Sequence, residues 1–209
     1  MSTKRHGNER KRIVELASAL IGEQGLGDFR IDALSERLGY SRQNIYRYYP
    51  GKQAILDAVV VEGCRSMAEA IAREMSALDQ LTFDERLIEG ILLACDLLRG
   101  GRKLESYAGV NLSQGVRLFM ANAEAVQGVL GEYLQPVFER ARKQGVLYGH
   151  MSDADLTRWV FQTAVYQLID AEYQSREARK RFLLAMFSPS INASKARCRV
   201  AGEAGQACT

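Results

Sequence analysis

Apolar residues recur three and four positions apart from about residue 9 to residue 187, and the whole chain holds only three prolines. That spacing lays a stripe along one side of a helix, and little in the sequence forbids helix, so the predicted fold class is all-α. No convincing strand is found.

A helical pattern this long has to be cut by its glycines and prolines, and the cuts predict the elements. Met1 to Asn8 reads as a polar, basic, mobile arm. A first helix follows, with Ile13, Leu16, Ala17, Leu20 and Ile21 inward, and Gly22 to Gly27 end it. A short second helix runs from about Ile31 to Leu38, with Ile31, Leu34 and Leu38 inward and Ser35 small enough for a close crossing, and Gly39 stops it. Pro50-Gly51 breaks the chain again, and Lys52 opens a long helix to about Met75. Another follows Thr82 as far as Gly100-Gly101, and Arg102 to Gln114 is the least regular stretch. A helix from about Ala121 to Gln144 contains Pro136, predicting a kink or a join between two helices. Ser152-Asp-Ala-Asp155 has the pattern of a capped start. The last helix runs from about Arg176 to Phe187 and ends at Pro189, with a disordered tail expected beyond.

With 209 residues, 47% of them hydrophobic, the chain can bury a substantial core. No run approaches the roughly 18 apolar residues of a membrane span and no apolar signal core follows the basic start, so a cytoplasmic protein without a membrane partner is expected. Cys64, Cys95, Cys198 and Cys208 show no C-x-x-C pairing and read as reduced thiols, neither disulfides nor a zinc site. No metal or cofactor is expected. The net charge of +3 is unevenly spread. Residues 1–52 carry about 10 Lys/Arg against about 6 Asp/Glu, the last 22 residues add about +2, and the middle is near −3. Basic ends around an acidic body suit a head that meets DNA and a body that avoids it.

The stretch Gly39-Tyr-Ser-Arg-Gln-Asn-Ile-Tyr-Arg-Tyr-Tyr49 carries the chemistry. Gly39 can turn the chain sharply and Ser41 can cap the helix that follows, as in the turn and second helix of a helix-turn-helix. On that helix Ile45 and Tyr49 share one side for packing, which leaves the polar residues pointing elsewhere. Arg42 can take guanine bidentately, and Gln43 or Asn44 can take adenine. Tyr46, Tyr48 and Lys52 suit phosphate oxygens, Ser41 lies at the same helix start, and Arg47 could serve either purpose. The basic arm, with Lys4, Arg5, Arg10, Lys11 and Arg12, could follow a groove or the backbone.

The run Ile13-Val-Glu-Leu-Ala-Ser-Ala-Leu-Ile-Gly-Glu-Gln-Gly25 resembles the first helix of the tetracycline-repressor (TetR) type of transcriptional regulators, with its closing glycine. Ile31-Asp-Ala-Leu-Ser-Glu-Arg-Leu-Gly-Tyr-Ser41 resembles that family's second helix and turn. Asn44-Ile-Tyr-Arg-Tyr-Tyr-Pro-Gly-Lys-Gln-Ala-Ile-Leu56 resembles its recognition helix and the positions that follow. The resemblance is centred on residues 9–60, and the body from about 60 to 187 fits only in length and helical character. Two residues depart from it. Arg30 stands where the family usually has a Ser or Thr that caps the second helix and touches phosphate, and Phe29 precedes it where a small polar residue is common. Arg30 can still reach phosphate, but the cap is lost or supplied otherwise.

The resemblance implies a basic arm and DNA-binding helix-turn-helix domain over 1–52, a helical effector-binding and dimerisation domain over 53–187, and a tail over 188–209. It makes Tyr46 and Lys52 the firmest phosphate contacts. It further implies a homodimer on a double-stranded operator, its two recognition helices about 34 to 36 Å apart. The final two helices would form the interface, with Val160, Ala164, Leu168, Leu183, Leu184 and Phe187 as candidates. A small-molecule effector inside the body would move the long fourth helix, most commonly lifting repression. Met67, Ile71, Leu92, Cys95, Phe119, Tyr133, Phe138, Trp159 and Tyr166 are the pocket candidates, an aromatic and thioether set suited to an apolar or aromatic ligand rather than a highly charged one.

An enzyme has little to work with, since His6 and His150 are the only histidines and no nucleophile-base set or phosphate-binding glycine loop is evident. Asp153 and Asp155 are explained as acids in a helix's first turn. The remaining alternative is a helical protein-protein interaction module without specific DNA binding.

Overall fold

The computed structural model describes residues 2–78, 80–100, 112–147, 151–169 and 175–191. The described residues form α1 (Ser2–Gln24), α2 (Ile31–Leu38), α3 (Arg42–Tyr46), α4 (Lys52–Ser76), α5 (Phe83–Gly100), α6 (Leu112–Ala121), α7 (Ala123–Lys143), α8 (Asp153–Ile169) and α9 (Arg176–Ile191). The fold is all-α, as the spacing predicted. Among these residues no helix is long and apolar enough to cross a membrane.

The chain divides into two compact units, residues 1–66 with 97–126 and residues 67–96 with 127–209. The division does not fall at residue 52. Ile55, Leu56 and Val59 of α4 lie in one apolar core with Ile13, Ala17, Leu20 and Ile21 of α1, Phe29, Leu34 and Leu38 around α2, and Ile45 and Tyr49. A three-helix head this small needs the first turns of α4 to close its core.

α1 begins earlier than its polar composition suggests, taking in the arm as far as Ser2. It is held at the sixth and tenth residues. His6 packs its ring on Tyr48 at 4.7 Å. Arg10 donates to the Tyr48 carbonyl at 3.1 Å and lies 4.5 Å from the Tyr49 ring centroid. Gly25, at φ 86°, follows the end of the helix inside the glycine-bounded stretch read from the sequence. α2 has the limits that its pattern predicted, and Gly39 ends it at φ 67° while Tyr40 N–H reaches back to the Ser35 carbonyl at 3.1 Å. The Ser35 hydroxyl donates to the Tyr40 carbonyl, which closes the turn from its other side.

Three further boundaries differ from the sequence reading. Leu112 to Gln114 belong to α6 rather than to an irregular stretch, whose remaining residues lie outside the described ones. Pro136 sits inside α7, one helix from Ala123 to Lys143 and not two, its ring on the exposed side. α9 passes Pro189 and ends at Ile191. A proline's fixed φ is itself helical, so its cost is mainly one lost hydrogen bond and the fit of its ring against the preceding turn. The tail from residue 192 lies outside the described residues.

In the second unit Phe83 meets Phe138 edge to face, with centroids 6.5 Å apart. Leu87, Ile88, Ile91 and Leu92 of α5, Val129 of α7 and Leu156 and Phe161 of α8 are buried. The α8 start is capped as read: Ser152 accepts from Asp155 N–H at 3.1 Å and donates to its carboxylate at 2.6 Å. α5 starts with a similar box, in which Glu85 accepts from the Thr82 N–H at 2.9 Å. Cys64 and Cys95 are buried free thiols, and burial pushes Cys64 up to about 11. Cys198 and Cys208 lie outside the described residues.

α9 is fastened to α5 by charge. Arg176 donates to Asp96 and Glu89, both at 2.7 Å, Lys180 pairs with Glu89 at 2.6 Å, and Arg179 donates to Asp96 at 3.2 Å. Burial pushes the Glu89 carboxyl upward, but hydrogen bonds from Lys180 and Arg176 outweigh it and hold the group below its ordinary value.

A Cβ on Gly39 would meet nothing within 4 Å, so the only obstacle to a side chain there is its positive φ. Gly39→Ala is expected to lose about 1 to 2 kcal/mol in denaturant unfolding, and Gly39→Asn visibly less; equal losses would mean that space and not backbone angle is limiting. A carboxyl lowered by folding contributes stability above its unfolded pKa and loses it as pH falls through the folded value. Glu89→Gln should therefore flatten the decline of stability below about pH 4.5, the ordinary value of such a carboxyl, when unfolding is followed by circular dichroism across acid pH.

Candidate nucleic-acid interface

α3 is five residues long, far below the length at which a helix is stable alone. Its shape comes from its ends and its seat. The Ser41 hydroxyl accepts from Asn44 N–H at 3.2 Å. At the other end Tyr48 and Tyr49 N–H donate to the Ile45 carbonyl at 2.9 and 3.0 Å. Ile45 and Tyr49 are buried, on the side their spacing predicted. Arg42, Gln43, Tyr46 and Arg47 are exposed, and Asn44 and Tyr48 half-buried.

The exposed set is partly held in place. Arg42 pairs through Nε with Asp32 of α2, a contact between two side chains that both face solvent. Tyr48 is fixed by His6 and Arg10. The Lys52 ammonium lies 5.7 Å from the ring centroid of Phe29, itself fully buried. The unusual Phe29 thus sits in the core beside the lysine. Arg30 occupies the N-cap position of α2 and makes no side-chain cap, so the lost cap is not supplied by this residue; its side chain is exposed.

Several positioning residues were not singled out from the sequence. Tyr40 donates its hydroxyl to Glu9, which pushes the phenol upward, and Arg12 donates to the same oxygen at 3.5 Å. Arg37 pairs with Glu23, whose carboxyl it lowers chiefly through the hydrogen bond. Asn122, at the turn between α6 and α7, donates to Asp57 of α4 at 3.1 Å, and Gln53 donates to the same oxygen at 2.8 Å. Their separations, 10 residues for Asp32 and Arg42 and 65 for Asp57 and Asn122, match no helical period.

The body candidates separate. Leu92, Cys95 and Phe138 are fully buried in the second unit, where Met67, Ile71, Tyr133 and Trp159 are half-buried. Tyr133 donates to Glu69 at 3.1 Å, and Cys95 donates to the Ala164 carbonyl at 3.7 Å. Phe119 belongs to the first unit, half-buried, and Tyr166 is 56% exposed. Of the interface candidates, Val160, Leu168 and Leu183 are buried within a single chain and Ala164 and Leu184 are half-buried; the Phe187 side chain lies outside those described. The large apolar side chains left exposed on α8 and α9 are Tyr166, Ile169 and Met186.

Residues 13–59 match the family of bacterial regulatory proteins called the tetR family. No curated protein matches the sequence. Among solved structures, RolR in complex with its ligand resorcinol is similar over 94% of this chain and 94% of its own, at 17% identity and a TM-score of 0.65. The R. erythropolis transcriptional repressor QsdR, from the TetR family, is similar over 86% of this chain and 94% of its own, at 14% identity and a TM-score of 0.63. A TetR-family transcriptional regulator from Pectobacterium atrosepticum is similar over 87% and 91%, at 17% identity and a TM-score of 0.58. Residues 13–59 therefore match the N-terminal domain of bacterial regulatory proteins of the tetR family, and the helical chain around them shares the fold of these solved structures.

Proposed function

We propose that the protein is a sequence-specific repressor, binding a palindromic operator as a homodimer and leaving it when a small molecule enters the body. The observation that carries the DNA-reading half is the row Arg42, Gln43, Tyr46 and Arg47, exposed on a helix whose other side is locked in the core. Of Arg42, Gln43 and Asn44 one or two read bases and the remainder joins Ser41, Tyr46, Tyr48, Lys52 and Arg30 in holding phosphates, with Arg47 at the edge of both groups.

Dimerisation is supported by Tyr166, Ile169 and Met186, large apolar side chains more than half exposed on the last two helices. Ligand response is supported by the similarity to RolR, which holds resorcinol. Within the first unit, the Asn122 to Asp57 bond gives α4 a contact that a change at the α6–α7 turn would alter.

The test is selection of duplexes from a random pool by the purified protein at physiological salt. A palindromic consensus is the expected result, and no enrichment from ligand-free protein would overturn the reading. On the selected site Arg42→Ala or Asn44→Ala should cost roughly 1 to 3 kcal/mol and relax one base position, while Lys52→Ala weakens all sequences alike. Equal losses on every duplex for both kinds of variant would undo the assignment of roles.

Asp32 competes with DNA for Arg42, and its carboxylate is repelled by phosphate. Asp32→Asn should tighten binding to random duplex several-fold at low salt, an advantage that shrinks as salt rises, and should narrow the gap between selected and random sequences. Gel-shift titrations at two salt concentrations read both effects; unchanged random binding would show that the pair does not restrain Arg42.

A further inference from the structure

The α5–α9 charge cluster in the second unit is not closed. Glu89 and Asp96 each give both oxygens: Glu89 to Lys180 and Arg176, Asp96 to Arg176 and Arg179. These two carboxylates face three cations. The surplus falls on Arg179, which is only 5% exposed and uses Nη2 alone, while its Nε and Nη1 are buried with no hydrogen-bond partner. A guanidinium cannot lose its proton to escape such a position, and each unmet charged donor is costly.

Asp96 meets Arg179 of α9, while its neighbour Cys95 meets Ala164 of α8. Thr163 and Gln167, buried polar residues of α8, flank that contact along the helix, and the fully buried Leu92 lies one turn before Asp96 on α5. Among the described residues the cluster is thus short of one negative charge, and the shortfall lies at the Nε and Nη1 edge of Arg179.

Resting on the ligand-responsive reading above, we infer that the body binds a small molecule bearing a single carboxylate, which takes the free edge of Arg179 and neutralises the cluster, its hydrocarbon part lying toward Leu92 and Cys95. A carboxylate matches the planar donor fork in two parallel hydrogen bonds. This gives the effector a polar head that the aromatic and thioether candidates did not suggest.

The probes are benzoate and octanoate, each compared with its primary amide, titrated calorimetrically into the full-length protein and repeated with Arg179→Met and Arg179→Lys. The expected result is binding of at least one acid, at least tenfold weaker binding of its amide, and a similar loss in Arg179→Met, with Arg179→Lys between. Arg179→Met should fold, because it removes a buried, partly paired charge while Arg176 remains on Asp96; if it does not, the acid-to-amide ratio and Arg179→Lys decide. Binding of neither acid, equal binding of acid and amide, or acid binding unaffected by either variant would overturn the inference. Duplex selection without ligand is run on the same preparation. Failure of the acids beside a clear consensus refutes the carboxylate site alone, whereas failure to select any duplex refutes the regulator reading.

Discussion

Everything the head can do depends on seating Ile45. A five-residue helix has one or two internal hydrogen bonds to set against the ordering of its backbone, and it would not persist in water. With Ile45 and Tyr49 sunk among Ile13, Phe29, Leu34 and Ile55, the orientation of Arg42, Gln43 and Asn44 becomes a property of the core. Two helices and the first turns of α4 serve to hold one short helix at a fixed tilt. Such a recognition element is rigid because it is short: it has no length of its own over which to bend away from the core.

The polar contacts around that core act on orientation more than on stability. Glu23 with Arg37 and Asp32 with Arg42 are solvent-facing pairs, screened by water and of little weight in stability. What they add is direction. Tyr40 on Glu9, and Tyr48 and Tyr49 on Arg10, tie the turn and the end of α3 to α1 from two sides. The early start of α1 follows from the same ties: residues that read as a solvated arm are helical because His6 and Arg10 have partners far along the chain.

Short-range physics explains what the sequence made legible. The limits of α2, the Ser41 and Ser152 caps, the Gly39 turn and the inward stripe of the head all arise within four or five residues, where spacing and side-chain type suffice. The misread boundaries involve competition between local preference and packing. Pro136 and Pro189 look like helix ends, yet each remains in a helix. Among candidate site residues, those on α3 suggest themselves by type, whereas Asp32, Asp57, Asn122 and Arg179 do not, because their contacts are with partners 10 to 83 positions away. Nor does a list of apolar and aromatic residues separate core from pocket or surface: Phe138 is fully buried, and Tyr166 is mostly outside.

Arg42 and Arg179 show how burial changes what one side chain can mean. Arg42 is 61% exposed at its side chain, so water screens its pair with Asp32 and the bond can open at little cost when a phosphate or a guanine edge replaces it. Its restraint is therefore reversible, and in the proposed function it lowers affinity for any duplex that offers nothing better than Asp32. Arg179 has no such solvent to fall back on. With one hydrogen bond to Asp96 and the other nitrogens sealed from water, its charge raises the energy of the described arrangement until an anion meets it. An exposed, paired arginine discriminates among partners that arrive at the surface; a buried, half-paired one favours whatever rearrangement brings a partner in. In the function proposed above, the first serves the helix that reads and the second the body that senses.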